Sequence, residues 1–157
     1  MTRAALVAAL VVVLAACGGS SQASSHEIVL ERAIGPVSLR EPRDDVERVL
    51  GAGVTIHNDR HYGHEVRYPK VGLDVFYAPG PTDRELAFAI LTTSRRYRTS
   101  AGVGVGSPRS AVKALGGVQC YGSGQCQHGA SGPGVPGTAF AFRSGTVWRV
   151  VIANDFD

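Results

Sequence analysis

Three of the chain's five histidines fall within eight residues, in His57-Asn-Asp59-Arg-His61-Tyr-Gly-His64-Glu65. Imidazole and carboxylate are good ligands for zinc or copper, and on a helix His57 and His61 would share a face. The spacing is not the His-Glu-x-x-His of a metalloprotease. Gly63 and the lack of apolar periodicity point instead to a loop or strand edge, so a solvated polar loop explains the segment better than a metal centre. A second candidate is Cys120-Tyr-Gly-Ser-Gly-Gln-Cys126. In an oxidising compartment such a pair reads as a disulfide, and closing so short a loop stabilises a fold by about 2 kcal/mol. Adding His128 would make a metal site, but zinc usually takes closer cysteine pairs and four ligands. Ser123 lies inside this loop and lacks the Gly-x-Ser-x-Gly strand–helix turn of a nucleophile elbow. Gly102-x-Gly104-x-Gly106 lacks the spacing, the later acidic residue and the βαβ context of a phosphate loop. No catalytic motif survives these comparisons, so the chain is expected not to be an enzyme and to carry no cofactor.

The first residues carry a different chemistry. Arg3 precedes an unbroken apolar run, Ala4 to Ala16, which ends in Leu14-Ala15-Ala16-Cys17. Thirteen residues are too few to span a bilayer, which needs about 20, but they suit the core of a secretory signal. Small residues before a cleavage point, followed by a thiol, resemble the lipobox of bacterial lipoproteins. The expectation is a signal peptide over 1–16 and a lipid anchor on Cys17: a diacylglycerol thioether carrying fatty chains such as palmitate. Gly18 to Ser25 is small and polar and reads as a tether within 17–27, with a reach of roughly 15 Å. The expected location is the extracytoplasmic face of the cell membrane or, in a cell with two membranes, the outer one. The charge balance is slight, with 16 Lys+Arg against 13 Asp+Glu, and demands no nucleic-acid partner.

These residues need elements to hold them, and the chain reads as two related units, 28–100 and 101–157. Placing Pro42 on Pro108 aligns Val37, Leu39, Arg43, Val46 and Val49 with Val103, Val105, Arg109, Val112 and Leu115. In each unit a short alternating strand leads to proline at the first helical position, where its fixed φ suits a helix start. Asp44 and Asp45 favour the first helix's positive end, and Ser107 is the expected N-cap of the second. Apolar stripes follow at Val46/Val49/Leu50 and Ala111/Val112/Leu115, and a glycine, Gly51 or Gly116, ends each helix. Alternation then predicts antiparallel hairpins from Val66–Tyr68, Leu73–Tyr77 and Leu86–Ile90 in the first unit, and from Thr138–Phe142 and Val147–Ile152 in the second. Thr92–Ser100 joins the units.

This strand–helix–Gly–hairpin pattern, doubled behind a lipobox, resembles the tandem-repeat fold of β-lactamase-inhibitor-protein-like domains. It is also similar to the small SmpA/OmlA outer-membrane lipoproteins, which carry one such unit. The matching residues are Val37-x-Leu39 with Val46-x-x-Val49-Leu50-Gly51, and Gly102-Val-Gly-Val105-Gly-Ser107 with Val112-x-x-Leu115, within about residues 34–154. Arg40-Glu41 departs from the glycine-containing approach that the second unit keeps as Gly106. The resemblance implies an α+β fold with helices packed on one face of an antiparallel sheet, and binding of other proteins without catalysis.

The expected function is therefore a membrane-anchored, non-enzymatic protein-binding or envelope-maintenance module with an envelope or secreted protein as partner. The alternative is an extracytoplasmic metal-binding protein using the His57–His64 cluster. Alternation sets Asp74 and Phe76 opposite Leu73, Val75 and Tyr77, and sets Arg67 and Arg143 opposite their apolar neighbours; in 147–152 either Trp148 or Arg149 faces out. Arg67, Phe76, Arg143 and Arg149 form the candidate binding face, because arginine and aromatic residues are enriched at interface centres. Arg95-Arg96-Tyr-Arg98 could touch anionic lipid headgroups, although such a charge run is more often merely solvated.

Overall fold

The computed structural model describes residues 26–59, 63–82, 84–129, 132 and 134–154. Three two-residue strands, β1 (Ile28–Val29), β2 (Ala33–Ile34) and β3 (Val37–Ser38), form a small antiparallel sheet. The helix α1 (Arg43–Leu50) precedes a meander of β4 (Val54–Asp59), β5 (Gly63–Tyr68), β6 (Leu73–Pro79) and β7 (Glu85–Thr92). After the joining segment comes α2 (Arg109–Lys113) and a second meander: β8 (Val118–Tyr121), β9 (Gln125–His128), β10 (Gly137–Arg143) and β11 (Thr146–Ala153). The two meanders share one antiparallel sheet in the order β4-β5-β6-β7-β11-β10-β9-β8. Their last strands meet in its middle, where Leu91 faces Val151 and Ala89 faces Ala153.

Residues opposite one another on paired strands share a face of the sheet. One row across the inner face reads Tyr68, Leu73, Thr92, Val150, Phe140 and Cys126, and every member is buried. Each large apolar side chain buried in this way contributes roughly 1.5–3 kcal/mol. The hydroxyls of Tyr68 and Tyr77 meet at 2.9 Å within this face, so both polar ends are satisfied. Burial pushes both phenols above the ordinary tyrosine range.

The cover over the inner face overturns the expected fold class. The described chain is mainly β-structure with two short helices, not an α+β fold with helices packed along one face of the sheet. Each helix gives the core a single fully buried residue, Val46 or Val112. The remaining cover comes from Ile28, Ile34 and Val37 in the small sheet and from Tyr97, Val103 and Val105 in and beyond the joining segment. The physical cause is length: helices of eight and five residues cannot lay a long apolar stripe on eight strands. Val49, expected in the α1 stripe, is 64 % exposed.

Local details differ in the same way. Pro42 and Pro108 are the N-cap residues, not the first helical ones. The Ser107 hydroxyl does not cap α2; it accepts hydrogen bonds from the Gly104 N–H and from Arg98. The cap of α2 at its other end is Ala114, two residues before Gly116. Val103–Val105, expected as a strand, holds only an isolated bridge from Gly104 to Arg98 before a turn at Val105. Yet the two pre-helix segments dock alike. Pro42 bridges to Leu86 beside the start of β7, and Pro108 bridges to Thr146 at the start of β11. The first residue of each helix then holds its guanidinium over a ring of its own meander: Arg43 over Tyr77 at 5.8 Å and Arg109 over Phe142 at 5.4 Å.

Candidate functional site

The outer face of the sheet is built from the same rows, displaced by one residue. One row reads Glu65, Phe76, Ala89, Ala153 and Gly137. The next reads Arg67, Asp74, Leu91, Val151, Ala139 and Gln127, and a third sets Arg149 against Ala141 and Gln125. Large side chains therefore flank a floor of alanines. The result is a depression of about 370 Å³ with Phe76 and Phe88 on one side, Leu91 and Val151 beneath, and Arg149 on the other. The two rings stand edge to face, 6.1 Å apart.

The four candidate face residues do not all converge. Phe76 and Arg149 line this depression. Arg67 lies in the neighbouring row and is tied to Asp74 by two hydrogen bonds of 2.8 and 2.9 Å, which hold its guanidinium pKa above the usual arginine value. Arg143 sits at the tip of the β10–β11 hairpin and lines a separate depression with Arg95 and Trp148. A bulge at Trp148 resolves the ambiguity of 147–152: Val147 faces Phe142 and Arg149 faces Ala141, leaving Trp148 as the extra residue. Both Arg143 and Arg149 stand over its ring, at 5.0 and 4.7 Å.

Sequence reasoning missed Phe88. Strict alternation through Leu86-Ala-Phe88-Ala-Ile90 sends its ring to the core side with Ile90. A register shift in the β6–β7 pair, with Tyr77 opposite Ala87 and Phe76 opposite Ala89, brings Phe88 beside Phe76 instead. Two small residues flanking a large one were the available signal.

The histidine segment, expected as a polar loop, is strand at its two described ends, with His57 in β4 and His64 in β5. His57 pairs with Glu65 and His64 with Asn58, which sends His57 and His64 to opposite faces of the β4–β5 pair. His64 Nδ1 faces a carboxylate oxygen of Glu85, whose other oxygen accepts from Arg43 at 2.9 Å. His61 lies outside the described residues, as do Cys17 and everything before His26. Among the described residues no three His, Cys, Asp or Glu side chains converge as metal ligands.

Cys120 and Cys126 are joined in a disulfide between directly opposed positions of β8 and β9, with Cα atoms 3.9 Å apart. Cys126 is wholly buried, and His128 turns to Glu31 at 2.5 Å, away from any role beside the sulfurs. The glycines of Gly102-x-Gly104-x-Gly106 serve backbone shape and packing: a Cβ at Gly104 would strike the Tyr97 carbonyl, while Gly102 and Gly106 hold positive φ, the latter beside the Arg95 guanidinium. Ser123 is exposed at the tip of the disulfide hairpin. Among the described residues no helix is long and apolar enough to cross a membrane. Compared with known proteins, the chain matches no family model, no curated protein and no solved structure.

Proposed function

We propose that this chain is a lipid-anchored extracytoplasmic lipoprotein whose domain binds another protein through the outer face of its eight-stranded sheet. The observation that carries the reading is the alanine-floored depression between the Phe76–Phe88 pair and Arg149. A protein normally buries such rings or leaves them scattered. Two rings gathered beside a half-buried arginine have the composition of an interface centre. The inner face is already occupied by its own cover, so the outer face is the broad surface left for a partner. The anchor rests on Leu14-Ala15-Ala16-Cys17 after the apolar run. The matching dock of Pro42 on β7 and Pro108 on β11, with an arginine over a ring in each meander, supports reading the two halves as one unit used twice.

Site-directed photocrosslinking in intact cells tests the proposal. A photoreactive residue in place of Leu91 should give a discrete adduct with an envelope or secreted protein, and one in place of Val49 should not. Phe76→Ala and Arg67→Ala should keep the fold, and Phe76→Ala should abolish the adduct, since losing a ring of this kind costs about 2 kcal/mol or more of binding. Equal adducts from both positions, or an adduct indifferent to Phe76→Ala, rules out this surface. Separately, Cys17→Ser should release the domain from membranes or leave it unprocessed, and an intact mass without lipid on the wild-type protein defeats the anchor.

A further inference from the structure

Arg95 and Arg143 are 48 positions apart in the chain yet line one depression of about 360 Å³ with Trp148, and none of the residues lining it is acidic. Arg149 also stacks on the Trp148 ring, although it lines the alanine-floored depression and not this one. Elsewhere Arg43, Arg48, Arg67 and Arg84 each face a carboxylate. Among the described residues Arg95, Arg143 and Arg149 form no ion pair; Arg32, Arg40, Arg96, Arg98 and Arg109 form none either, so what sets Arg95 and Arg143 apart is that they line one depression. The Arg149 Nε is also buried without a hydrogen-bond partner. Guanidiniums gathered without an anion repel one another, and desolvating them further is costly unless an anion arrives from outside.

We infer that the Arg95–Arg143–Trp148 depression is a contact site for the headgroups of anionic phospholipids. Arginine forks match phosphate oxygens, and tryptophan favours the boundary between headgroups and acyl chains, so the pair suits this one ligand from both ends. Position favours it as well. The described chain begins at His26, whose carbonyl accepts from the Arg98 N–H; Arg98 is three residues from Arg95, and its own carbonyl accepts from Ile28. His26 is nine positions beyond Cys17. Fully extended that stretch spans roughly 30 Å, so a lipid on Cys17 keeps this end of the domain near a bilayer. The binding itself needs no anchor and involves a different depression from the protein-binding surface.

Trp148 is the chain's single tryptophan, so its fluorescence reports on this site alone. The full-length chain is mixed with phosphatidylcholine vesicles, with or without about 30 % phosphatidylglycerol, an anionic lipid. The acyl chains are brominated to quench tryptophan at the interface. Quenching should require phosphatidylglycerol and disappear at about 0.5 M salt. R95E/R143E should weaken it roughly thirtyfold, from the loss of two basic contacts at a charged surface. Millimolar inorganic phosphate or polyglutamate should leave the emission unchanged. Equal quenching on neutral vesicles, or quenching that persists in high salt or in R95E/R143E, overturns the assignment. So does an emission shift with polyglutamate, which points to an acidic protein, or with phosphate alone, which points to a soluble anion. The salt and neutral-vesicle arms use the wild-type chain, so the inference stands or falls even if the double variant misfolds.

Discussion

The two meanders face the same mechanical problem and solve it differently. Each must hold the outermost strand of an eight-stranded sheet against a core that lies mainly under its middle. In the half from β4 to β7 the work is done by packing and charge. Arg43 on α1 bonds both Glu47 and Glu85, Glu85 also meets His64, and the Tyr68–Tyr77 hydroxyl pair lies beneath. The edge strand β4 is left open, with Val54 and Ile56 exposed. In the half from β8 to β11, α2 is shorter and lacks an ion pair of this kind among the described residues, but the edge hairpin is tied covalently through Cys120 and Cys126. Arg109 adds a hydrogen bond to the Gly122 carbonyl at the hairpin tip. Cooperative side-chain contacts on one edge thus do what a single bond does on the other. The first edge should respond to core and charge changes, and the second to redox conditions.

The sharpest way to break this comparison is in the third strand of each half, where Tyr77 and Phe140 are among the largest fully buried side chains. Phe140→Ala should cost about 3–5 kcal/mol of unfolding free energy. Tyr77→Ala should cost at least as much, because it also strands the buried Tyr68 hydroxyl. Urea titrations of both variants measure the difference; a Tyr77→Ala cost well below that of Phe140→Ala would remove the hydroxyl pair from the account.

Next in size is reduction of the disulfide, expected to lower stability by about 2 kcal/mol. Native-state hydrogen exchange should show the loss as faster opening of β8 and β9, with β4 and β5 unchanged. Equal acceleration at both edges would mean that the bond stabilises the whole sheet and not its own hairpin.

Alkaline pH tests the other half. Burial raises the pKa of Tyr68, Tyr77 and Tyr97 in the fold. Their neutral forms are favoured by the native state, so this contribution is fully present below the unfolded value of about 10 and is lost as pH rises toward the folded values. Above about pH 10, stability should fall by up to roughly 1.4 kcal/mol per pH unit for each such tyrosine, and Tyr77→Phe should make the slope shallower. A Tyr77→Phe profile parallel to wild type would show that this phenol does not govern the alkaline limb.

The smallest effect is expected at Val49. Its side chain is mostly exposed, so Val49→Ser should change stability by less than about 0.5 kcal/mol, within the ordinary range for a surface site. A loss near 2 kcal/mol in a thermal melt would restore Val49 to the packed face of α1 and reopen the question of how much that helix covers.

The residues involved explain why some of this was readable in advance. Leu73, Val75 and Tyr77 alternate cleanly with Asp74 and Phe76, and β6 carries them on opposite faces. The strands β8 and β9 escaped notice because Val118–Tyr121 and Gln125–His128 are short, polar and half exposed, and their pairing is enforced by the cysteines more than by apolar pattern. β4 escaped because its only large apolar residues, Val54 and Ile56, point to no core. Of the site, Phe76 and Arg149 could be read as outward candidates, whereas Phe88 could not, since a register shift is a property of two strands at once.

What the sequence alone determined is local: the alternation of β6 and β10, the cysteine pair suited to close a short hairpin, and the prolines that introduce two helices. Each follows from the preferences of a residue and its near neighbours, with a period of two along a strand or a fixed φ before a helix. Tertiary structure alone decided that β7 lies against β11, which sets four alanines of the two halves side by side as one floor. It also decided that a small sheet and a joining segment, more than two helices, cover the core, and that Arg95 lines one depression with Arg143 and Trp148. Those outcomes depend on which distant surfaces exclude water from one another, and burial is shared among all the segments competing for the same face.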